Sequence, residues 1–285
     1  MEPTLSWNPL EDARELLRYP FMAHALEAGS IVAVMAGLVG WYVVLRRQTF
    51  AGHTIAVMSF PGAAGAALAG VPGALGYYLA CATAGLAIGA GRGVGARSRE
   101  SATIGVVQVA GLALGFLLLS LYGGVLGGLE SLLFGTFLGI DAGQVLTLLI
   151  VAAAVLAALS LLARPLLLAS LQRDVARARG VPVRAIDTAF LLILGLAVAA
   201  TSQITGALLV LALLVAPPAA AQALTGRPLL GAAASVAIGL LVTWLALAIA
   251  YFSIYPFGFY VTSLALVAYL LARLARRLRS ARARA

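Results

Sequence analysis

Long stretches almost free of charge dominate this chain and constrain it more than any other feature. Apolar runs fall near residues 29–45, 54–70, 72–91, 104–122, 145–163, 188–204, 206–224, 229–252 and 259–274. One crossing of a bilayer takes about 20 apolar residues, so nine such runs need about 180. That figure is close to the 62% of the 285 residues that are hydrophobic, and little material remains for a water-soluble domain. Charged residues make up only 10% of the chain, whereas a soluble protein carries about a quarter. The reading is an all-α polytopic membrane protein of about 8 to 9 transmembrane helices.

The formal charge of +9 would ordinarily suggest a nucleic-acid partner. All 19 basic residues are arginine, however, and they stand between the apolar runs, which is the pattern of a topology signal rather than of a nucleic-acid surface. Arg46 and Arg47 follow the first run, Arg92, Arg97 and Arg99 the third, and Arg164, Arg173, Arg177, Arg179 and Arg184 the fifth. Arg227 follows the seventh, and Arg273, Arg276, Arg277, Arg279, Arg282 and Arg284 close the chain. If the runs alternate, 17 of the 19 arginines share one side. The positive-inside rule then expects the N-terminus outside and the C-terminus in the cytoplasm of a multi-pass plasma-membrane protein. The short apolar stretch LLFGTFLGI, 132–140, is a candidate re-entrant piece.

Three parts follow from this. Residues 1–28 carry Glu2, Glu11, Asp12, Glu15 and Glu27 and lack a long apolar core. They are expected to form an amphipathic segment at the membrane surface rather than a cleavable signal. Residues 29–275 are the membrane domain, and 276–285 an arginine-rich cytoplasmic tail. The lone Cys81 lies inside an apolar run and is read as packing material.

No enzymatic constellation is present in the sequence. It has two histidines, no HExxH, no CxxC and no usefully spaced carboxylate pair. The phosphate-gripping loop GxxxxGK[ST] requires a lysine, and there is none. Nucleotide chemistry is therefore expected on a partner chain. Within the runs, Pro61 with Gly62 and Pro217 with Pro218 break the backbone hydrogen-bond ladder at membrane depth. Carbonyls freed in this way must face protein or a water-filled cavity. Gln108, Thr201, Ser202, Gln203 and Thr205 are further polar residues there, suited to oxygen ligation or to helix-to-helix hydrogen bonds.

The most informative hydrophilic stretch is ARPLLLASLQRDVARARGVPVRAID. Leu171, Val175 and Ala178 fall on one helical face, with Arg173, Asp174, Arg177 and Arg179 around the rest. Gly180, followed by Pro182, stops the helix. A short, capped, amphipathic helix between spans is suited to docking in a groove on a soluble partner.

This stretch resembles the cytoplasmic coupling segment of the membrane permeases of ABC importers for manganese, zinc and iron. Other pieces are similar to that family in the same order: RYPFMAHALEAG, LRRQTFAGHTIAVMSFPGAAGA, RESATIGVVQVAGLALG, LLFGTFLGI and GALLVLALLVAPPAAAQAL. The resemblance implies two permease chains around one pathway, as a homodimer or heterodimer, with two ATPase subunits binding ATP beneath them. It also implies an extracytoplasmic metal-binding protein that delivers divalent manganese, zinc or iron. Arg173, Asp174, Arg177, Arg179 and Gly180 would then couple the chain to the ATPase, while His53, Pro61, Gly62 and Gln203 are the metal or pathway candidates.

The sequence departs from the family after the twin arginines. The usual pattern there is Gly-Asp, then Ser-His, then Pro-Gly. Here the Asp position is His53 and the Ser-His pair is Ala56 and Val57, while Pro61 and Gly62 remain. His53 and Val57 are one helical turn apart and share a face, so one of two expected ligands is an aliphatic side chain. Two other readings compete. An ion-coupled secondary carrier would keep an intramembrane carboxylate, whereas Glu100 and Asp187 lie at the edges of runs. A non-transporting scaffold, a decayed paralogue paired with a ligand-bearing permease, would explain the missing histidine.

Overall fold

A computed structural model describes residues 19–90, 97–122, 139–253 and 255–282. Among them the chain forms nine α-helices: α1 Pro20–Leu45, α2 Thr49–Ala69, α3 Gly73–Ala90, α4 Arg97–Tyr122, α5 Ala142–Leu171, α6 Arg173–Ala178, α7 Val183–Leu224, α8 Pro228–Tyr251 and α9 Phe257–Arg282. The all-α polytopic architecture is as expected from the apolar runs, and each run falls on one of these helices. Seven helices among the described residues are long and apolar enough to cross a membrane. The run at 54–70 lies on α2, outside that set. The run at 206–224 merges with the one before it into α7, whose second half gives a shorter apolar helix, Val210–Leu224.

That merger has a local cause. Gly206 has φ 75° and ψ 160°, a conformation close to glycine-only, so the helix is interrupted there and resumes in a new direction. Residues 1–18, most of the proposed amphipathic segment, and 132–138 of the proposed re-entrant piece lie outside the described residues. The arginine-rich tail begins as a continuation of α9, which runs to Arg282.

The chain divides into two compact units. The first comprises residues 1–41, 136–150 and 212–285. Within it, α1 is held by polar groups reaching its backbone. Ser235 Oγ donates to the Gly37 carbonyl at 2.8 Å, Gln222 Nε2 to the Trp41 carbonyl at 2.9 Å, and Trp244 Nε1 to Ser30 Oγ at 2.9 Å. Pro218 carries no N–H for the Leu214 carbonyl four residues back. Gly40 of α1 packs directly on that carbonyl, where any side chain would collide. A bare Cα can make such close contact with a freed oxygen, as small residues do between helices in lipid. In the same unit α9 packs on α8.

The second unit comprises residues 42–135 and 151–211. Its centre is α2, buried almost continuously from Ala51 to Ala66, with α3 and α4 against it. Gly62 of α2 and Gly76 of α3 meet backbone to backbone. On α3, Gly85 packs against the Leu191 carbonyl of α7, and Gly195 of α7 packs against the Cys81 carbonyl. The glycines thus set the register of three helices. Many large apolar side chains on α4 and on the part of α5 in this unit, among them Val106, Val109, Phe116 and Leu161, are exposed. In hydrocarbon that exposure costs nothing, since lipid tails are as apolar as the side chains.

Candidate functional site

The turn before α2 is tight. Arg47 adopts φ 56°, in the left-handed region uncommon for a side-chain-bearing residue, and Gln48 N–H closes the turn on the Val43 carbonyl at 2.9 Å. This turn aims Arg46 back toward the protein and starts α2 immediately, which sets His53 about a turn beyond the twin arginines.

His53 is half-buried, and its Nδ1 is buried without a hydrogen-bond partner. Its neighbours on α2 are fully committed. Thr54 Oγ1 donates to Gln108 Oε1 of α4 at 3.1 Å, and the Ile55 carbonyl accepts from Cys81 Sγ of α3 at 3.3 Å. Val57, in the histidine position of the resembling family, is buried. Pro61 lies inside α2 and leaves the Val57 carbonyl without its usual N–H donor. Among the described residues, no group of three or more His, Cys, Asp or Glu side chains is placed to hold a metal ion.

Gln203 belongs to a second polar locus on α7, just before the Gly206 break. Thr201 Oγ1 donates to the Ala197 carbonyl at 2.7 Å and Thr205 Oγ1 to the Thr201 carbonyl at 3.0 Å. Ser202 Oγ and Gln203 Nε2 are buried without a partner, and the Tyr78 hydroxyl of α3 is directed at the Gln203 side chain. An interrupted helix also leaves backbone carbonyls of the preceding turn open. The locus therefore offers oxygen and amide groups to a polar occupant.

The structure places the four pathway candidates at two levels. Contacts of Cys81 with Ile55 and Gly195, and of Gly85 with Leu191, put His53 near residues 191–192 of α7. Gln203 is about eleven residues further along, or about 16 Å at 1.5 Å per residue. Through Gly76 and Tyr78 of α3, Gln203 shares its level with Pro61 and Gly62 instead.

The coupling candidates form a separate feature. α6 is six residues long, Arg173–Ala178, and Gly180 at φ 75° ends it, with Gly180 N–H on the Arg177 carbonyl and Val181 N–H on the Ala176 carbonyl. Only Ala176 is buried, against Ala169 of α5 and Val183 of α7. Leu171, Val175 and Ala178, the apolar face read from the sequence, are exposed, as are Asp174, Arg177 and Arg179. Asp174 and Arg177 pair at 3.4 Å on the open surface, an interaction of small energetic weight. Arg173 behaves differently. It turns inward to Asp187 near the start of α7, which also pairs with Arg46. Sequence reasoning read Asp187 only as an edge residue. The available signal was a lone carboxylate opening a span, which needs a basic partner when buried.

The sequence model of the ABC 3 transport family matches residues 18–276. The manganese transport system membrane protein MntC of Halalkalibacterium halodurans is 32% identical over 213 residues, covering 75% of this chain and 73% of that protein. The chelated iron transport system membrane protein YfeC of Yersinia pestis is 30% identical, covering 76% and 74%. Among solved structures, a chain of PsaBC from Streptococcus pneumoniae in complex with Fab superposes with a TM-score of 0.82 at 25% identity, over 92% of this chain and 94% of that one. An inward-facing metal-chelate type ABC transporter, at 17% identity and a TM-score of 0.67, shares the fold. With matched sequence reaching from before α1 nearly to the end of α9, the chain belongs to the ABC 3 transport family.

Proposed function

We propose that this chain is the permease subunit of an ABC importer for a divalent metal ion, manganese, zinc or iron, with ATP bound and hydrolysed on separate ATPase subunits. The observation that carries this reading is α6. It is a short helix stopped by Gly180, anchored by one buried alanine, and it leaves Leu171 and Val175 open beside Asp174, Arg177 and Arg179. Such a face fits a groove on a soluble partner, and relatives named for manganese and iron transport support the cargo.

In this reading α2 and the second half of α7 bring the seven spans to nine crossings, the N-terminus is outside, and the arginine-rich end of α9 is cytoplasmic with α6. An extracytoplasmic metal-binding protein delivers the ion. It passes the level of Pro61, Gly62 and Gln203 before that of His53. A divalent ion stepping along carbonyl, amide and single-imidazole groups is held weakly at each, which suits passage rather than storage. Val57 in place of the family's histidine favours assembly with a second permease that carries the stronger ligands, over a homodimer.

The test is co-purification with the neighbouring ATPase, followed by ATP-dependent uptake of labelled Mn²⁺, Zn²⁺ and Fe²⁺ by the reconstituted complex. The expected result is a complex that dissociates when residues 174–180 are scrambled, and uptake that stops without ATP. A complex that survives scrambling, or uptake driven by a proton gradient alone, overturns the reading. Co-expression with and without a sister permease decides the pairing.

A further inference from the structure

Four helices converge on one carboxylate. Asp187, 5% exposed near the start of α7, takes Arg46 Nη2 on one oxygen and Arg173 Nη2 on the other. Arg46 immediately follows α1. Its Nη1 donates to Ser170 Oγ at 3.1 Å near the end of α5, and its guanidinium lies over the Phe190 ring at 5.1 Å, on the next turn of α7. Arg173 is the first residue of α6. Asp187 thereby joins α6 to the ends of α1, α5 and α7.

The two arms of this junction are unequal. The Arg46 side chain is 5% exposed and sealed in place, whereas the Arg173 side chain is 45% exposed. Two guanidinium groups share one negative charge, and their mutual repulsion weakens both holds. The exposed arm is the one that can exchange its partner for water at low cost.

α6 has few other attachments. At its C-terminal end Ala176 packs on Ala169 and Val183, and the chain then turns through Gly180 into α7. At its N-terminal end α6 follows α5 across the single residue Gln172, whose N–H donates to the Leu168 carbonyl, and Arg173 adds there the side-chain tie to Asp187. With that tie α6 is fastened by a side chain to α7 as well as by the main chain to α5; without it, only Ala176 and the chain on either side hold it.

We propose that Asp187 is a positioning residue that transmits displacement of α6 to α1 and α7, with Arg173 as the link on the α6 side. The inference rests on the reading of α6 as the ATPase-contacting helix. It assigns to Arg173 an inward task, distinct from the outward face of Val175, Asp174 and Arg177.

The experiment compares metal ions transported per ATP hydrolysed in the reconstituted complex for the wild type, R173Q and R173K. R173Q is expected to lower that ratio about tenfold, the scale of a typical coupling free energy. R173K is expected to restore it to within about twofold, because a single Nη contact asks only for a positive charge at that point. A ratio in R173Q equal to the wild type, or an R173K ratio as low as that of R173Q, overturns the proposal. A wild-type complex that fails to form or to transport counts instead against the permease reading. Should R173Q not assemble with the ATPase, a spin label at V175C in the full chain reports α6 directly, since the native Cys81 is fully buried. R173Q must then increase the label's mobility, and unchanged mobility overturns the proposal.

Discussion

Two polar regions in the same compact unit follow opposite rules. At the Asp187 junction, the buried carboxylate meets two guanidinium groups, and one of these is held further by a serine hydroxyl and an aromatic ring. At the α7 break, Ser202 Oγ is buried without a hydrogen-bond partner and Gln203 has only the Tyr78 hydroxyl beside it, and His53 Nδ1 is likewise unpartnered about three turns away. Buried polar groups are nearly always satisfied in a folded protein. A cluster that is satisfied holds structure together, while one that is open is arranged for something that comes and goes. In the proposed reading the first region is a joint and the second part of a route.

Substitutions can break that distinction. The largest effect is expected for D187A, which leaves Arg46 as a buried cation without its counterion. Loss of about 3–5 kcal/mol is expected, read as a lowered unfolding midpoint of the chain in detergent. Full stability in D187A would mean that the junction is ornamental. Q203M removes an amide of similar volume and should leave the midpoint in place while lowering metal uptake about fivefold, the equivalent of about 1 kcal/mol. A destabilised Q203M with wild-type uptake would reverse its assignment from route to joint. H53A is expected to reduce uptake about twofold, since one imidazole without a second ligand contributes little beyond a weak contact. A total loss would make His53 the principal ligand. The smallest effect belongs to S202A, whose hydroxyl has no partner to lose. Its stability should stay the same or rise by up to about 1 kcal/mol, read from the same unfolding midpoint, and a fall would show that the hydroxyl is bonded after all.

How much of this was legible beforehand depends on the kind of information required. The helices were legible because burial in lipid demands only length and apolarity, so every run lies on a helix, including the two that Gly206 divides within α7. The stop of α6 was legible because Gly180 followed by Pro182 is a local signal. Its exposed face could be drawn from periodicity alone, but its inward anchor could not. Ala176 is small and undistinguished in sequence, and only the packing of Ala169 and Val183 selects it. The Asp187 junction joins residues 141 and 14 positions apart, and arginines read as topology signals carry no label for the partner they meet. The separation of His53 from Gln203 was equally hidden. It depends on the register of α2, α3 and α7, which glycines 62, 76, 85 and 195 impose through contacts that sequence spacing does not reveal.

Those glycine contacts also make the protein unequal in its tolerance of change. Where α2 meets α3 at Gly62 and Gly76, and α3 meets α7 at Gly85 and Gly195, the touching surface is main chain, and even a methyl group has no room. The exposed leucines of α4 and α5 are free of that constraint, since in lipid one aliphatic residue serves as well as another. A saturation library would therefore show forbidden positions gathered along the lines where neighbouring backbones touch, Gly40 on the Leu214 carbonyl included, and broad tolerance among the exposed leucines of α4 and α5.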